Sequence, residues 1–412
     1  MNYFVKNLLL LGISSMLYQC TVSSYQVDTD FPGGNVVVVN INGDSVQLHQ
    51  DLRDTEGDWF YWSFRVKGAA GRTLNFEFTK GNVISSRGPA VSTDGGLTWR
   101  WLGDLNFSGN RFQYNFGPKE HEVYFSMGMN YMETDLHRFL EQYKNHPDLK
   151  VETLCTSKKG RNVELLRIRN KNIEPDFKIF LSSRHHCGEM MATRALEGII
   201  EVVLSDTEDG RWLRTHGDFF IVPFVDKDGV EDGDQGKNRR PHDHNRDYKL
   251  RIYPEIRAIT EQVPKWLEGK PLFFLDMHCP WLRGGSDPSD PKKGTNEYPY
   301  FVCHNPATDT LNTEEKLLHF STILETVRKG PIPYRVSFNL PYGVAWNTPS
   351  NVKTPDLQSS SAWGATLPNV IFSSSIEIPF ANACGVVVDA SSSRELGYDF
   401  AKAIRTYLGN FK

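Results

Sequence analysis

No sign of charge predominates in this 412-residue chain: 46 Lys and Arg face 50 Asp and Glu, for a formal charge of −4. A nucleic-acid binder carries a basic excess, so that class is set aside. Long apolar runs are missing too. No internal stretch approaches the roughly 18 residues that span a bilayer. Cysteine is scarce, with Cys20, Cys155, Cys187, Cys279, Cys303 and Cys384 showing no short paired spacing. A disulfide framework is therefore not expected in a core of this size. Internal repeats and low-complexity tracts are absent, which leaves out solenoids and disordered arrays.

What is present suits a soluble globular protein of about two domains. Apolar residues make up 39% and charged residues 23%, with 25 Phe, 16 Tyr and 9 Trp to fill packed sheets. At the N-terminus Lys6 precedes Leu8-Leu9-Leu10-Leu11-Gly12-Ile13, and Ser14-Ser15 follow. A short basic region with a short apolar core reads as a secretory signal over residues 1–24. It ends at Leu17-Tyr18-Gln19-Cys20, a loose match to the bacterial lipoprotein box, although Tyr18 and Gln19 are large for it. Lipidation at Cys20 and ordinary cleavage a few residues later both stay open. Either way the expected location is periplasmic or cell-surface, and any membrane link would run through a lipid anchor at Cys20.

Residues 25–128 read as strands and turns. Val36-Val37-Val38-Val39 is β-branched, Trp59 to Val66 is aromatic, and Leu74-Asn75-Phe76-Glu77-Phe78 alternates. Turn signals at Pro32-Gly33-Gly34, Asn42-Gly43 and Asp94-Gly95-Gly96 separate them. Short strands at such intervals predict an all-β sandwich. From residue 129 to 412 the pattern becomes α/β. Thr134 is placed to cap a helix, and Ser393 to open the last one. Continuous apolar strands at Ile179, Phe219, Leu272 and Val370 alternate with helices. This predicts a mixed, largely parallel sheet with helices on both faces. Residues 280–299 and 347–368 read as long loops.

In such sheets the chemistry gathers at the carboxyl ends of strands. Ser183-Arg184-His185-His186-Cys187-Gly188-Glu189 follows the first strand, Asp276-Met277-His278 ends another, and Ser375-Ile376-Glu377 a third. On one helical turn His186 and Glu189 would converge on a metal, and His278 would complete a two-His, one-carboxylate set with an open position. Asp276 is suited to orient a ligand, and Glu377 to act as a general base. Each fragment alone is a weak signal, since a strand-end histidine is more often a hydrogen-bonded core residue.

Between the fragments lie Asp226-Lys227-Asp228-Gly229-Val230 and Asp243-His244-Asn245-Arg246. The ordered set resembles the zinc metallocarboxypeptidase family, in particular its cytosolic-carboxypeptidase-like subgroup, whose catalytic domain also follows a β-sandwich. The resemblance implies one zinc per chain held by His186, Glu189 and His278, with Glu377 as general base and acid. It implies that Asn245 and Arg246 hold a substrate's terminal carboxylate. An arginine upstream would stabilise the oxyanion; Arg239 and Arg240 both stand near, and Arg240 is preferred. Tyr342 is the nearest stand-in for the tyrosine that covers the substrate.

Around these, Cys187 and Cys279 adjoin ligands and read as packing residues. His185 competes with His186, and the three-residue spacing to Glu189 favours His186. His242 and His244 suit a substrate contact or a solvated loop equally. The expected activity is removal of C-terminal residues from peptides or cell-wall peptides. The alternatives are a zinc esterase or amidase on a carbohydrate or small acyl compound, for which Trp281, Trp346 and Trp363 are suited, and an inactive surface binding protein.

Overall fold

Four adjacent strands that are buried at nearly every position form the centre of the molecule, as strands covered on both faces are. The computed structural model describes residues 25–283, 296–307, 309, 311–352 and 354–411, so the expected signal segment and Cys20 lie outside the described residues. Strands Gly217–Val222, Phe177–Ser183, Leu272–His278 and Val370–Glu377 are neighbours in that order and run parallel. Leu149–Thr156 and Asn162–Ile168 extend one edge antiparallel, and Tyr300–Phe301 the other, making a seven-stranded mixed sheet.

Alternate residues of each strand feed two layers. Ile179 and Leu181 join Phe219, Phe273 and Leu275 under helices Met190–Leu204, Thr313–Val327 and Ala390–Gly409. Phe180, Phe220 and Phe274 pack on the other face against helix Pro254–Trp266. Helices Met190–Leu204 and Ala390–Gly409 cross at Gly198 and Gly397. A Cβ on Gly198 would lie 2.0 Å from the Arg394 carbonyl oxygen, so only glycine allows that approach.

The N-terminal region forms two five-stranded sheets, with strands running from Gln26 to Ser126. Trp62, Phe64, Phe76, Phe112 and Phe125 stack between them, with Phe76 and Phe112 centroids 4.7 Å apart. The Val37–Asn42 strand lies at an edge of its sheet, and its β-branched run is exposed rather than buried. Both regions contribute to one continuous apolar cluster.

Three local expectations differ from the structure. The first helix spans Glu133–Glu141, so Thr134 sits inside it, and Asp135 accepts the Met132 N–H instead. The last helix starts at Ala390, where Asp389 accepts the Ser392 N–H at 2.8 Å, three residues before Ser393 becomes the fourth helical residue. The 347–368 stretch contains a short helix, Ser360–Gly364. No helix among the described residues is long and apolar enough to cross a membrane.

Candidate active site

Register brings two of the functional side chains together. Leu272–His278 pairs with Val370–Glu377 so that His278 and Glu377 are Cα partners at the carboxyl ends of both strands. His186 and Glu189 come from the connection between strand Phe177–Ser183 and helix Met190–Leu204. They do not share a helical turn. Arg184 turns the chain with φ of 61°, and its guanidinium holds the Cys187 and Tyr131 carbonyls at 2.6 and 3.0 Å. Glu189 sits just ahead of the helix, so the turn rather than helical spacing makes the two side chains converge.

Both histidines point Nδ1 at Glu189, His186 at 3.0 Å from Oε1 and His278 at 2.8 Å from Oε2. Their other nitrogens face carboxylates: His278 Nε2 is 2.8 Å from Asp276, and His186 Nε2 is 3.7 Å from Asp243. Carboxylates behind histidines orient ligands and raise their basicity. The three donor atoms lie within 4.8 Å of one another. Donors about 2.0–2.2 Å from a tetrahedral zinc stand roughly 3.3 Å apart, and two histidines with one glutamate leave a fourth position open. The residues therefore fit a catalytic zinc.

In a second grouping, His185 with Asp276 and His278, neither His185 nor Asp276 lines the cleft. His185 is fully buried between the Tyr248 hydroxyl at 2.8 Å and Asp276 at 2.9 Å. A third, Glu133 with His137 and Glu164, already carries the Lys227 ammonium at 2.7 and 2.8 Å from its two glutamates.

These groups open on a cleft of about 930 Å³ lined by His186, His278, Glu377, Asn245, Arg246 and Tyr342. Glu377 is buried, and its Oε2 has no hydrogen-bond partner among the described residues. Burial, aided by the Glu189 charge, pushes its carboxyl up to about 7. Asp276 is held far below the usual carboxylate range because His185 and His278 outweigh its burial. Asn245 is buried: Oδ1 accepts the Ser360 N–H at 2.9 Å, and Nδ2 lies 3.3 Å from His278 Nε2. Arg246 bends back with Nη1 2.9 Å from the Asn245 carbonyl.

Arg240 is a correction. Its side chain is 87% exposed, pairs with Glu56 and does not line the cleft. Arg239 turns inward, but all of its nitrogens meet carboxylates: Asp54 at 2.8 Å, Asp226 at 2.6 Å and Asp234 at 3.0 Å. Cys187 donates to the Asp234 carbonyl, and burial pushes both it and Cys279 far above the ordinary thiol range, as packing residues require. His242 lines the cleft and is bonded to Asp247 at 2.7 Å, whereas His244 stacks on Tyr253 away from it. Neither is solvated. Trp281 and Trp346 line the cleft; Trp363 packs in the core.

Three contributors were missed in the sequence: Asp243, Trp59 and Lys237. Lys237 Nζ lies 2.7 Å from Glu189 Oε1, beneath the Trp59 ring. Burial alone would lower its pKa, but the Glu189 and Glu377 charges hold it above the ordinary value. Asp243 stands two residues before Asn245, a position a ligand-orienting carboxylate can use. Nothing in the sequence near Trp59 signals its role.

Residues 136–267 match the family model described as zinc carboxypeptidase, and residues 27–127 match the cytosolic carboxypeptidase N-terminal domain. The chain thus resembles the zinc carboxypeptidases in both of its regions. The matched segment takes in His186, Glu189, Asn245 and Arg246. His278 and Glu377 lie beyond it, so their place rests on geometry. Cytosolic carboxypeptidase 2 of Xenopus tropicalis is 26% identical over 299 residues, 63% of this chain and 31% of that protein. The chain thus spans about a third of the length of that relative. Two solved structures share the fold of this zinc carboxypeptidase relative. The metallo-carboxypeptidase from Burkholderia cenocepacia has a TM-score of 0.73 at 19% identity, covering 94% of this chain and 100% of that one. The metallo-carboxypeptidase from Pseudomonas aeruginosa has a TM-score of 0.71 at 21% identity, with the same 94% and 100% coverage.

Proposed function

We propose that the chain is a zinc-dependent carboxypeptidase that hydrolyses the C-terminal peptide bond of peptides, with one zinc per chain at His186, Glu189 and His278. The observation that carries this reading is Arg246, a fork suited to a carboxylate, in the same cleft as His186, His278 and a Glu377 whose Oε2 has no hydrogen-bond partner among the described residues. An arginine binds a carboxylate through two parallel hydrogen bonds, which selects the end of a peptide rather than its middle. Asn245 Nδ2 stands beside it as a further donor.

When bound, zinc supplies Lewis acidity, polarising the scissile carbonyl and acidifying water. Glu377 takes a proton from the attacking water while that oxygen bonds to the carbonyl carbon. As the C–N bond breaks, Glu377 delivers the proton to the departing amine, so it ends the cycle ionised again. Burial keeps its basicity matched to neutral pH. Asp276 holds His278 in orientation at 2.8 Å, the Asp243 charge faces His186 from 3.7 Å, and Tyr342 lines the cleft.

Cell-wall peptides are a narrower form of the same reading, resting on the export expected from residues 1–24. Attachment at Cys20 is tested by metabolic labelling with a fatty acid in the wild-type chain and a Cys20→Ala variant. The ester or amide alternative loses ground because it gives Arg246 no partner.

The test is incubation with a mixed peptide pool, followed by mass spectrometry with and without a zinc chelator. Chelator-sensitive loss of single C-terminal residues is expected. Intact peptides beside stoichiometric zinc would sink the peptide reading, and intact peptides without zinc would sink the metal centre.

A further inference from the structure

Peptide hydrolysis places a negative charge on the former carbonyl oxygen, and a cation fixed beside that atom lowers the barrier. Of the two arginines just upstream of Asn245, Arg239 is fully engaged by three carboxylates and Arg240 lies outside the cleft. Arg246 is occupied with the substrate's carboxylate in the reading above. Lys237 is different. Its side chain is only 17% exposed, it lines the cleft, and its ammonium touches the metal-binding carboxylate of Glu189.

Resting on the carboxypeptidase reading, we propose that Lys237 is the catalytic cation that neutralises the oxyanion, in place of an arginine. The backbone around it is built to hold it there. Asp54 of the sandwich accepts the N–H groups of Gln235 and Gly236, each at 2.9 Å. Gly236 adopts φ of +75°, and a Cβ there would lie 2.4 Å from the Cys187 nitrogen, so the loop passes directly against the metal-binding turn. Arg239 anchors the other side through Asp54, Asp226 and Asp234.

An ammonium has three donors, so it can keep Glu189 and still bond an oxygen in the cleft. As a compact charge it suits one oxygen atom, whereas a guanidinium fork suits two. In the step itself the water oxygen bonds to the carbonyl carbon and the carbonyl π pair moves onto oxygen. One water proton goes to Glu377. Collapse of the adduct breaks the C–N bond and returns that proton to the amine. Lys237 keeps all its protons throughout.

The experiment compares wild type, Lys237→Met and Lys237→Arg as zinc-loaded full chains, with melting curves confirming the fold. Bound zinc is measured by elemental analysis. Calorimetry then follows two ligands: a phosphonate peptide, tetrahedral and anionic at the reacting centre, and a reduced isostere with the terminal carboxylate but no oxygen there. Lys237→Met is expected to keep its zinc, lose about 100-fold or more in phosphonate affinity and change less than about threefold toward the isostere. Its kcat falls roughly 10²–10³-fold with little change in KM, and Lys237→Arg recovers part of both losses. Equal weakening of both ligands overturns the proposal. So does loss of zinc or fold in both variants, which makes Lys237 a counter-ion of Glu189. A wild-type chain that binds zinc but neither ligand overturns the carboxypeptidase reading itself, and this proposal with it.

Discussion

Along Thr73–Phe78 of the sandwich, Leu74, Phe76 and Phe78 point inward while Thr73, Asn75 and Glu77 face outward, and Glu77 meets Arg111 at the surface. Along Leu272–His278 of the larger sheet every residue is buried, yet the strand ends in Asp276 and His278. One strand puts only carbon in the interior; the other withdraws ionisable groups from water. The first arrangement is what stability alone selects. The second costs desolvation, and such sites persist where perturbed groups serve chemistry. Changes in the sandwich interior should therefore act on stability, and changes at the strand ends on turnover.

Glu377→Gln is the sharpest way to break that contrast. Turnover should fall about 10³–10⁴-fold, on the order of 4–5.5 kcal/mol, by loss of the general base. The folded-state pKa of Glu377, about 7, is above its ordinary 4.5, so its contribution to stability is lost as pH rises through about 7. Above that pH the variant should melt no lower than wild type. A melting point several degrees lower would show that the carboxylate is structural.

Trp62→Ala tests the opposite arm. Trp62 is fully buried, donates to the Val83 carbonyl at 2.7 Å and packs 4.5 Å from Phe78. Its loss should cost about 3–5 kcal/mol in urea unfolding. kcat/KM, normalised to zinc-bound folded protein, should stay within about twofold. A tenfold loss would mean that the sandwich interior also sets the geometry of the cleft.

Arg246→Lys keeps the charge and removes the fork, so KM should rise about 10- to 100-fold with kcat nearly unchanged. The wild-type preference for a free terminal carboxylate over the C-terminal amide should shrink alongside. An unaltered preference would free Arg246 from its role.

The gentlest test is the acid limb of kcat/KM. Below its midpoint, activity should fall tenfold per pH unit as Glu377 protonates. Zinc adds positive charge nearby and pulls the midpoint down, so it should lie between 4.5 and about 7. A midpoint above that range would point to a different base.

How much of this was legible in the sequence follows the same divide. Glu377 and His278 were visible because each ends an apolar strand run, and strand ends are where parallel sheets place chemistry. Glu189 was visible through its spacing, although a turn rather than a helix brings it to His186. Lys237 was not visible, because its position depends on Asp54, far away in sequence, and on the left-handed Gly236. The choice between Arg239 and Arg240 failed for the same reason: three distant carboxylates decide which one turns inward. The strand at Val36–Val39 was legible as a β-branched run, but its exposed place at an edge was not, because composition does not reveal which strand ends up there.

The loop that carries Lys237 is written in one region and shaped by another. Asn35 donates to the Gly233 carbonyl at 2.6 Å, Gln235 exchanges two hydrogen bonds with the Tyr61 backbone, and Asp54 takes the next two amides. For anyone recombining such proteins, the natural cutting point between strand-rich and helix-rich halves is thus a false seam. A chimera that joins this C-terminal half to another protein's sandwich inherits His186, Glu189 and His278 but loses the mould for residues 233–238. The unit of exchange has to include Asn35, Asp54 and Tyr61 together with that loop, however far apart they stand along the chain.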